Sequence, residues 1–226
     1  MPAKHKYPII NQIKKIIKKF VDKDYESNPI LFTKKTISQV SYYRDIVDKI
    51  KNLDGDFIEC GVGKGRSLFI ISCLFENLCP SKKIYACDTF SGFPDLQKSD
   101  YLPNKNIWKG YYSVNLDYVK KYLRKSKFNK IENINFIQGD IKKTLENFKH
   151  KLSLIHLDVD IYSSYEFSLY TLCENLVPKG IIMIDEYESE KWSNIKDLVD
   201  RFCEKKNFKL ERSIHKDFDR IFLTKK

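Results

Sequence analysis

No run of apolar residues in this 226-residue chain approaches the roughly 18 that a bilayer-spanning helix needs. The N-terminus also lacks the apolar core and small-residue cleavage site of a secretory signal peptide. The expectation is an intracellular, cytoplasmic protein with no stable membrane insertion. The six cysteines (Cys60, Cys73, Cys79, Cys87, Cys173 and Cys203) show no CxxC spacing, and several sit inside apolar runs. That argues against a zinc site or a disulfide framework and for small core residues. Internal repeats, low-complexity tracts and RNA-binding or helix-turn-helix signatures are missing too, so no nucleic-acid partner is expected.

What is present is the composition of a soluble globular protein, 42% hydrophobic and 31% charged, at a length that suits one full core. The formal charge of +11 would suit nucleic acid, an anionic membrane or an anionic substrate. The lysines, however, are spread over nearly every predicted helix, which reads as a solvated basic surface. Near the N-terminus, Ile9, Ile10, Ile13, Ile16, Ile17, Phe20 and Val21 fall at helical spacing opposite Lys14, Lys15, Lys18, Lys19 and Lys23. A basic amphipathic helix of this kind can lie on a membrane, but such a stripe more often packs on its own domain or on a second subunit. Residues 1–50 are therefore expected to form a helical segment packed on the core or in a homodimer contact, and residues 51–226 the main domain.

After a second predicted helix, ISQVSYYRDIVDKI, a short apolar strand feeds a glycine-rich turn and a helix in DFIECGVGKGRSLFIISCLFENL. Glycines let the backbone turn sharply and approach a ligand, and the helix that follows presents free amides. Gly61, Gly63 and Gly65 alternate, which departs from the GxGxxG of nicotinamide sites. The acid ahead of them, Glu59, would repel a pyrophosphate but suits a cofactor carrying an ammonium group, as S-adenosylmethionine does. The next strand, KKIYACD, ends at Asp88, placed to accept from ribose hydroxyls. A third, NINFIQGD, ends at Asp140, placed to receive an adenine amino group. Between them the stretch 95–112 is long, polar and aromatic (Tyr101, Trp108, Tyr111, Tyr112). It reads as a lid or substrate loop whose aromatics either stack on an acceptor or pin the loop to the core.

Four acids close two further apolar runs: LSLIHLDVD ends in Asp158 and Asp160, and GIIMIDEY carries Asp185 and Glu186. The segment between them, SSYEFSLYTLCENLVPKG, reads as a helix, giving a strand–helix–strand unit with parallel strands. Both carboxyl ends then emerge at one sheet edge, where Asp158, Asp185 and Glu186 can point at one hard cation. His156, flanked by apolar residues, reads as a core histidine. The closing runs FKLERSIH and DRIFLTKK look like an antiparallel hairpin at the sheet edge. The fold class expected is α/β, a Rossmann-like class I methyltransferase with a mainly parallel seven-stranded sheet and a C-terminal antiparallel hairpin.

The motifs FIECGVGKG, CDTFSGFP, QGD leading to TL, LDVDIYSS and IIMIDEY, in that order, resemble the macrocin O-methyltransferase family of S-adenosylmethionine- and magnesium-dependent sugar O-methyltransferases. The likeness covers about residues 54 to 200. The resemblance implies a Mg²⁺ site, or one for another divalent cation, on Asp158, Asp185 and Glu186, and a general base at Asp160. It also implies cofactor contacts near Glu59, Gly61, Gly63, Asp88, Ser91 and Asp140. Val159 stands where the family often has glycine, and the second acidic pair is DE rather than DD. Either carboxylate binds magnesium, so the site survives the exchange. The acceptor implied is a hydroxyl of a sugar, nucleotide sugar or glycan. Two other readings remain: the same chemistry on a catechol-like or other small-molecule hydroxyl, and a non-catalytic basic Rossmann-like module bound to membrane or nucleic acid through its N-terminal lysines. His215, in the closing hairpin, is an outside candidate for the base.

Overall fold

The computed structural model describes residues 33–102, 106–126, 128 and 130–226. The amphipathic stretch 9–23, and with it the expected packing or dimer contact, lies outside the described residues. Helix α1 (Lys34–Ile50) starts at Thr33, whose side chain accepts from the Thr36 amide at 3.1 Å. It buries Tyr42, Tyr43, Ile46, Val47 and Ile50, the i, i+3, i+4 stripe of an amphipathic helix. Strands β1 (Asp56–Cys60), β2 (Ile84–Asp88), β3 (Ile134–Gln138), β4 (Leu152–Leu157), β5 (Leu176–Ile184), β6 (Phe208–Arg212) and β7 (Ile221–Lys225) form one sheet in the order β3-β2-β1-β4-β5-β7-β6. The further α-helices among the described residues are α2 (Arg66–Leu78), α3 (Leu116–Lys125), α4 (Ile141–Thr144), α5 (Tyr162–Leu172) and α6 (Asn194–Lys206).

The pairs among β1 to β5 are parallel, and β7 runs antiparallel to both β5 and β6. This is the Rossmann-like methyltransferase sheet. One hydrophobic cluster (Ile155, Leu157, Tyr165, Leu169, Ile195, Leu198, Phe202) fills the face covered by α5 and α6. A second (Ile46, Phe57, Leu68, Ile71, Val119, Leu123, Leu154) fills the face covered by α1, α2 and α3. Among the described residues no helix is long and apolar enough to cross a membrane.

One detail is added to the sequence reading and one differs from it. The closing hairpin forms the sheet edge as expected, with its second strand, β7, and not its first, paired to β5. The reason is composition, since IFLTK buries its first three residues whereas FKLER leaves most of its length exposed or half-exposed. The predicted helix running to Gly180 stops at Leu172, and β5 already begins at Leu176. Residues 177–180 form an irregular excursion, with Lys179 at φ +64°, after which the ladder resumes at Leu154 opposite Ile181. Pro178 has no amide to donate, so a regular ladder could not run through it.

The strand order reverses between β1 and β4, so a crevice opens at their carboxyl ends. Backbone bonds stitch those ends together: Gly61 N to Cys87 O at 2.9 Å, Gly139 N to Asp88 O at 2.9 Å, Asp158 N to Cys60 O at 2.9 Å and Asp185 N to Leu157 O at 3.1 Å. The residues that follow β1, β3, β4 and β5 are thus each held by a neighbouring strand.

Candidate active site

Above the β1–β2 side of the crevice lies a cavity of about 390 Å³, whose walls include Gly61, Gly63, Asp88, Asp140, Asp158 and Asp160. That volume is within the range of small-ligand sites. Gly61 has φ +86° and Gly63 φ +51°; a Cβ at Gly63 would meet nothing within 4 Å. The Asp88 carboxylate fixes this turn by accepting from the Val62 amide at 2.8 Å and the Gly63 amide at 3.0 Å, and from the Phe90 amide at 2.7 Å. Thr89 Oγ1 also lies 3.4 Å from its Oδ1, so its own turn supplies four contacts to the roughly four acceptor sites of a carboxylate. Asp140 caps α4, accepting from the Lys142 amide at 3.0 Å.

Two expected cofactor contacts lie elsewhere. Ser91 is exposed and is not on the cavity wall. Glu59 is fully buried and does not line the cavity either. Its Oε1 accepts from Ser67 Oγ at 2.5 Å and lies 2.9 Å from His156 Nδ1, while Oε2 has no partner among the described residues. Register explains the placement, because Glu59 on β1 pairs with His156 on β4, and the two side chains meet across the ladder. His156 is buried, as the sequence reading had it, but within a polar pair. Burial lowers its pKa, and the Glu59 carboxylate, followed by Asp158 and Asp185, raises it by more, so the net shift is upward.

The acids gather at the β4 and β5 ends. One oxygen each of Asp158 and Asp185 and one ring nitrogen of His156 lie within 4.8 Å of one another. Glu186, from the next position after Asp185, is buried against the Tyr165 hydroxyl. That hydroxyl also lies 2.7 Å from the Leu157 carbonyl and accepts from the Asp185 amide at 3.2 Å. Removal from water, and then the charge of Asp185, pushes Asp158 up to about 8. Glu186 is driven well above the usual carboxylate range by burial, then by Asp158 and Asp185. The cation in direct contact is Arg220, whose Nε donates to Asp185 Oδ1 at 2.9 Å. Carboxylates crowded together and removed from water, as Asp158 and Glu186 are, are the oxygen donors a hard divalent cation relieves, so these residues fit one.

Asp160 occupies a special backbone position. It has φ +61°, at the centre of a three-residue turn closed by Ile161 N to Val159 O at 2.6 Å. A non-glycine residue held in this region signals a constraint the surroundings maintain. Asp160, Asp158 and Tyr112 also wall a second cavity of about 470 Å³, lined further by Asp185, Glu186, Lys191 and Arg220. The two cavities meet at these three residues. His215 lies on neither wall and is held 2.8 Å from Asp45 on α1.

The long loop is both pinned and poised. Tyr111 packs on Phe93 and Trp108, with centroids 5.7 and 4.7 Å away, while Tyr101 and Trp108 are more than half exposed. Tyr112, at φ +63°, stands between the cavities with Lys191 Nζ 4.3 Å from its ring centre. Asp100 is 1% exposed and accepts from Ser163 N at 2.7 Å and Ser163 Oγ at 2.9 Å. Helix α5 has no side-chain cap of its own, so a carboxylate from the loop supplies it. Asp100→Ala should therefore cost about 1–3 kcal/mol of stability and speed proteolysis within 95–112. Unchanged melting and cleavage would refute the anchoring role. Asp100, Tyr165, Lys191 and Arg220 escaped the sequence reading. The one signal was an acid in a loop otherwise rich in aromatics, which by itself selects nothing.

Residues 31–224 match the family model described as macrocin-O-methyltransferase (TylF). A curated relative, the 8-demethyl-8-(2,3-dimethoxy-alpha-L-rhamnosyl)-tetracenomycin-C 4'-O-methyltransferase of Streptomyces olivaceus, is 27% identical over 140 residues, 59% of this chain and 53% of that one. The chain thus spans about half the length of the curated relative it matches. Among solved structures, the calicheamicin methyltransferase CalS11 superposes with a TM-score of 0.75 at 18% identity, covering 97% of this chain and 94% of that one. The O-methyltransferase NovP does so with 0.72 at 22% identity, covering 84% and 80%. Both likenesses are of fold.

Proposed function

Because this chain belongs to the macrocin O-methyltransferase family, we propose that it is an S-adenosylmethionine-dependent O-methyltransferase acting on a sugar hydroxyl, free, nucleotide-linked or in a glycan, with help from a divalent cation. The observation that carries this reading is the shared wall of the two cavities, where Asp158, Asp160 and Tyr112 face both. A donor in one cavity and an acceptor in the other would meet at a carboxylate. The sugar named for the Streptomyces relative, a rhamnosyl group methylated at oxygen, is the class of acceptor we extend to this chain.

In this mechanism Gly61, Gly63, Asp88 and Asp140 hold the cofactor. S-adenosylmethionine supplies a methyl group on a positively charged sulfur, ready for in-line displacement. Asp158, Asp185 and Glu186 hold the cation, which when bound neutralises their charge and acidifies a hydroxyl nearby. A sugar hydroxyl keeps its proton near neutral pH, so Asp160 accepts that proton at its carboxylate as the oxygen attacks carbon. Tyr112 and Lys191 close one side of the acceptor cavity and orient the ring. Alignment of oxygen, carbon and sulfur is then the main contribution of the protein.

Calorimetry with S-adenosylmethionine, followed by methyl-transfer assays on nucleotide sugars, glycosides and catechols with and without EDTA, tests the proposal. Sugar acceptors should turn over, EDTA should reduce the rate at least tenfold, and added Mg²⁺ or Mn²⁺ should restore it. No cofactor binding would overturn the enzyme reading, and a rate indifferent to EDTA would remove the cation from it.

A further inference from the structure

Two buried groups beside the acids, His156 and Glu59, have no part in the transfer described above. Resting on the cation reading of the acids, we propose that His156 is itself a ligand of that cation, a nitrogen donor beside Asp158 and Asp185, and that Glu59 is the carboxylate that orients its ring.

The geometry is that of a single coordination sphere. Ligand atoms bonded at about 2.1 Å to one ion stand roughly 3 to 4.2 Å apart. The His156 nitrogen and the Asp158 and Asp185 oxygens already lie within 4.8 Å of one another, so small side-chain rotations suffice. The imidazole is 2% exposed. Its Nδ1 lies 2.9 Å from Glu59 Oε1, which leaves Nε2 as the nitrogen to face the acids. A metal-bound histidine characteristically donates its other ring N–H to a carboxylate, which fixes the tautomer and leaves a lone pair on the bonding nitrogen. Glu59 stands where that partner is required, and Ser67 braces it at 2.5 Å.

Strand register produces this arrangement. Glu59 lies opposite His156 in the β1–β4 ladder, and His156 precedes Asp158 by two residues, one strand alternation. The glycine turn and the acidic cluster are thereby joined through one imidazole. Binding the cation displaces any proton from Nε2 and leaves the Nδ1–H bond to Glu59 in place. A nitrogen donor also shifts ion choice, since imidazole suits Fe²⁺, Ni²⁺ and Zn²⁺ whereas Mg²⁺ takes oxygen. The site therefore takes a first-row transition ion in preference to Mg²⁺.

Pulsed EPR of the full chain, labelled with ¹⁵N-histidine and loaded with Mn²⁺, tests this without any turnover. The expected spectrum shows coupling to a directly bound imidazole nitrogen, and His156→Gln abolishes it while weakening Co²⁺ affinity about 10- to 100-fold. Glu59→Gln should keep the coupling and weaken Co²⁺ about tenfold, through loss of the orienting carboxylate. If His156→Gln fails to fold, the wild-type spectrum decides. Bound Mn²⁺ without nitrogen coupling overturns the proposal and leaves a carboxylate-only site. Coupling that survives in a folded His156→Gln protein overturns it as well. No Mn²⁺ binding by calorimetry would overturn both this proposal and the cation reading beneath it.

Discussion

Asp160→Asn is expected to lower turnover at least a hundredfold while leaving S-adenosylmethionine affinity within about a factor of two. A positioned general base contributes about 10²- to 10⁴-fold, and the amide cannot take the proton. The substitution is otherwise mild. Asparagine is nearly the same size, and with aspartate it is among the residues that best tolerate the left-handed region in which Asp160 is held at φ +61°. The turn closed by Ile161 N and Val159 O should persist, and the melting temperature should hardly move. The comparison that isolates the role is Asp185→Asn. Asp185 belongs to the convergent group with Asp158 and His156, so its loss should weaken cation binding as well as rate, whereas Asp160→Asn should spare cation affinity. Single-turnover rates and calorimetry with Mn²⁺ on the two variants separate these outcomes. Normal turnover in Asp160→Asn would mean that another group on the shared wall takes the proton.

Much of the frame was legible because it is written in short-range pattern. Apolar runs ending in acids marked β4 and β5, alternate glycines marked the turn after β1, and the order of these pieces carried the family. What escaped the reading joins segments far apart in sequence. Asp100 caps a helix that starts some sixty residues later, and Glu59 meets His156 across a ladder. Nothing local to Glu59 distinguishes an acid facing a cofactor from one buried against a histidine; only the β1–β4 register does. The early start of β5 was hidden for a different reason. CENLVPKG carries no strand alternation, and its excursion around Pro178 breaks the ladder. In the same way, Lys191 and Arg220 become site residues only when the loop after β5 and the start of β7 fold over the acids.

Gly61→Ala should prevent the protein from accumulating in folded form, or cost at least about 3 kcal/mol where it does fold. A Cβ at Gly61 would stand 1.8 Å from the Asp158 carbonyl oxygen and 2.5 Å from its carbon. Both are backbone atoms of the strand end that carries the acids, so no side-chain rotation relieves the overlap. The residue's φ of +86° adds a conformational cost of about 1–2 kcal/mol for any L side chain. To make room, β4 would have to withdraw from β1, breaking the Asp158 N to Cys60 O bond and moving Asp158 away from Asp185. Gly63→Ala is the control, because it adds the same methyl two residues on, at φ +51°, where nothing lies within 4 Å. It should cost only about 1–2 kcal/mol and fold, yet weaken S-adenosylmethionine binding at least tenfold by occupying cavity space. Thermal unfolding and cofactor calorimetry on the pair read the two effects separately. If Gly63→Ala binds the cofactor as tightly as the wild type, the cofactor does not lie against this turn. If Gly61→Ala folds normally, the strand-end contact is not what fixes the acids in place.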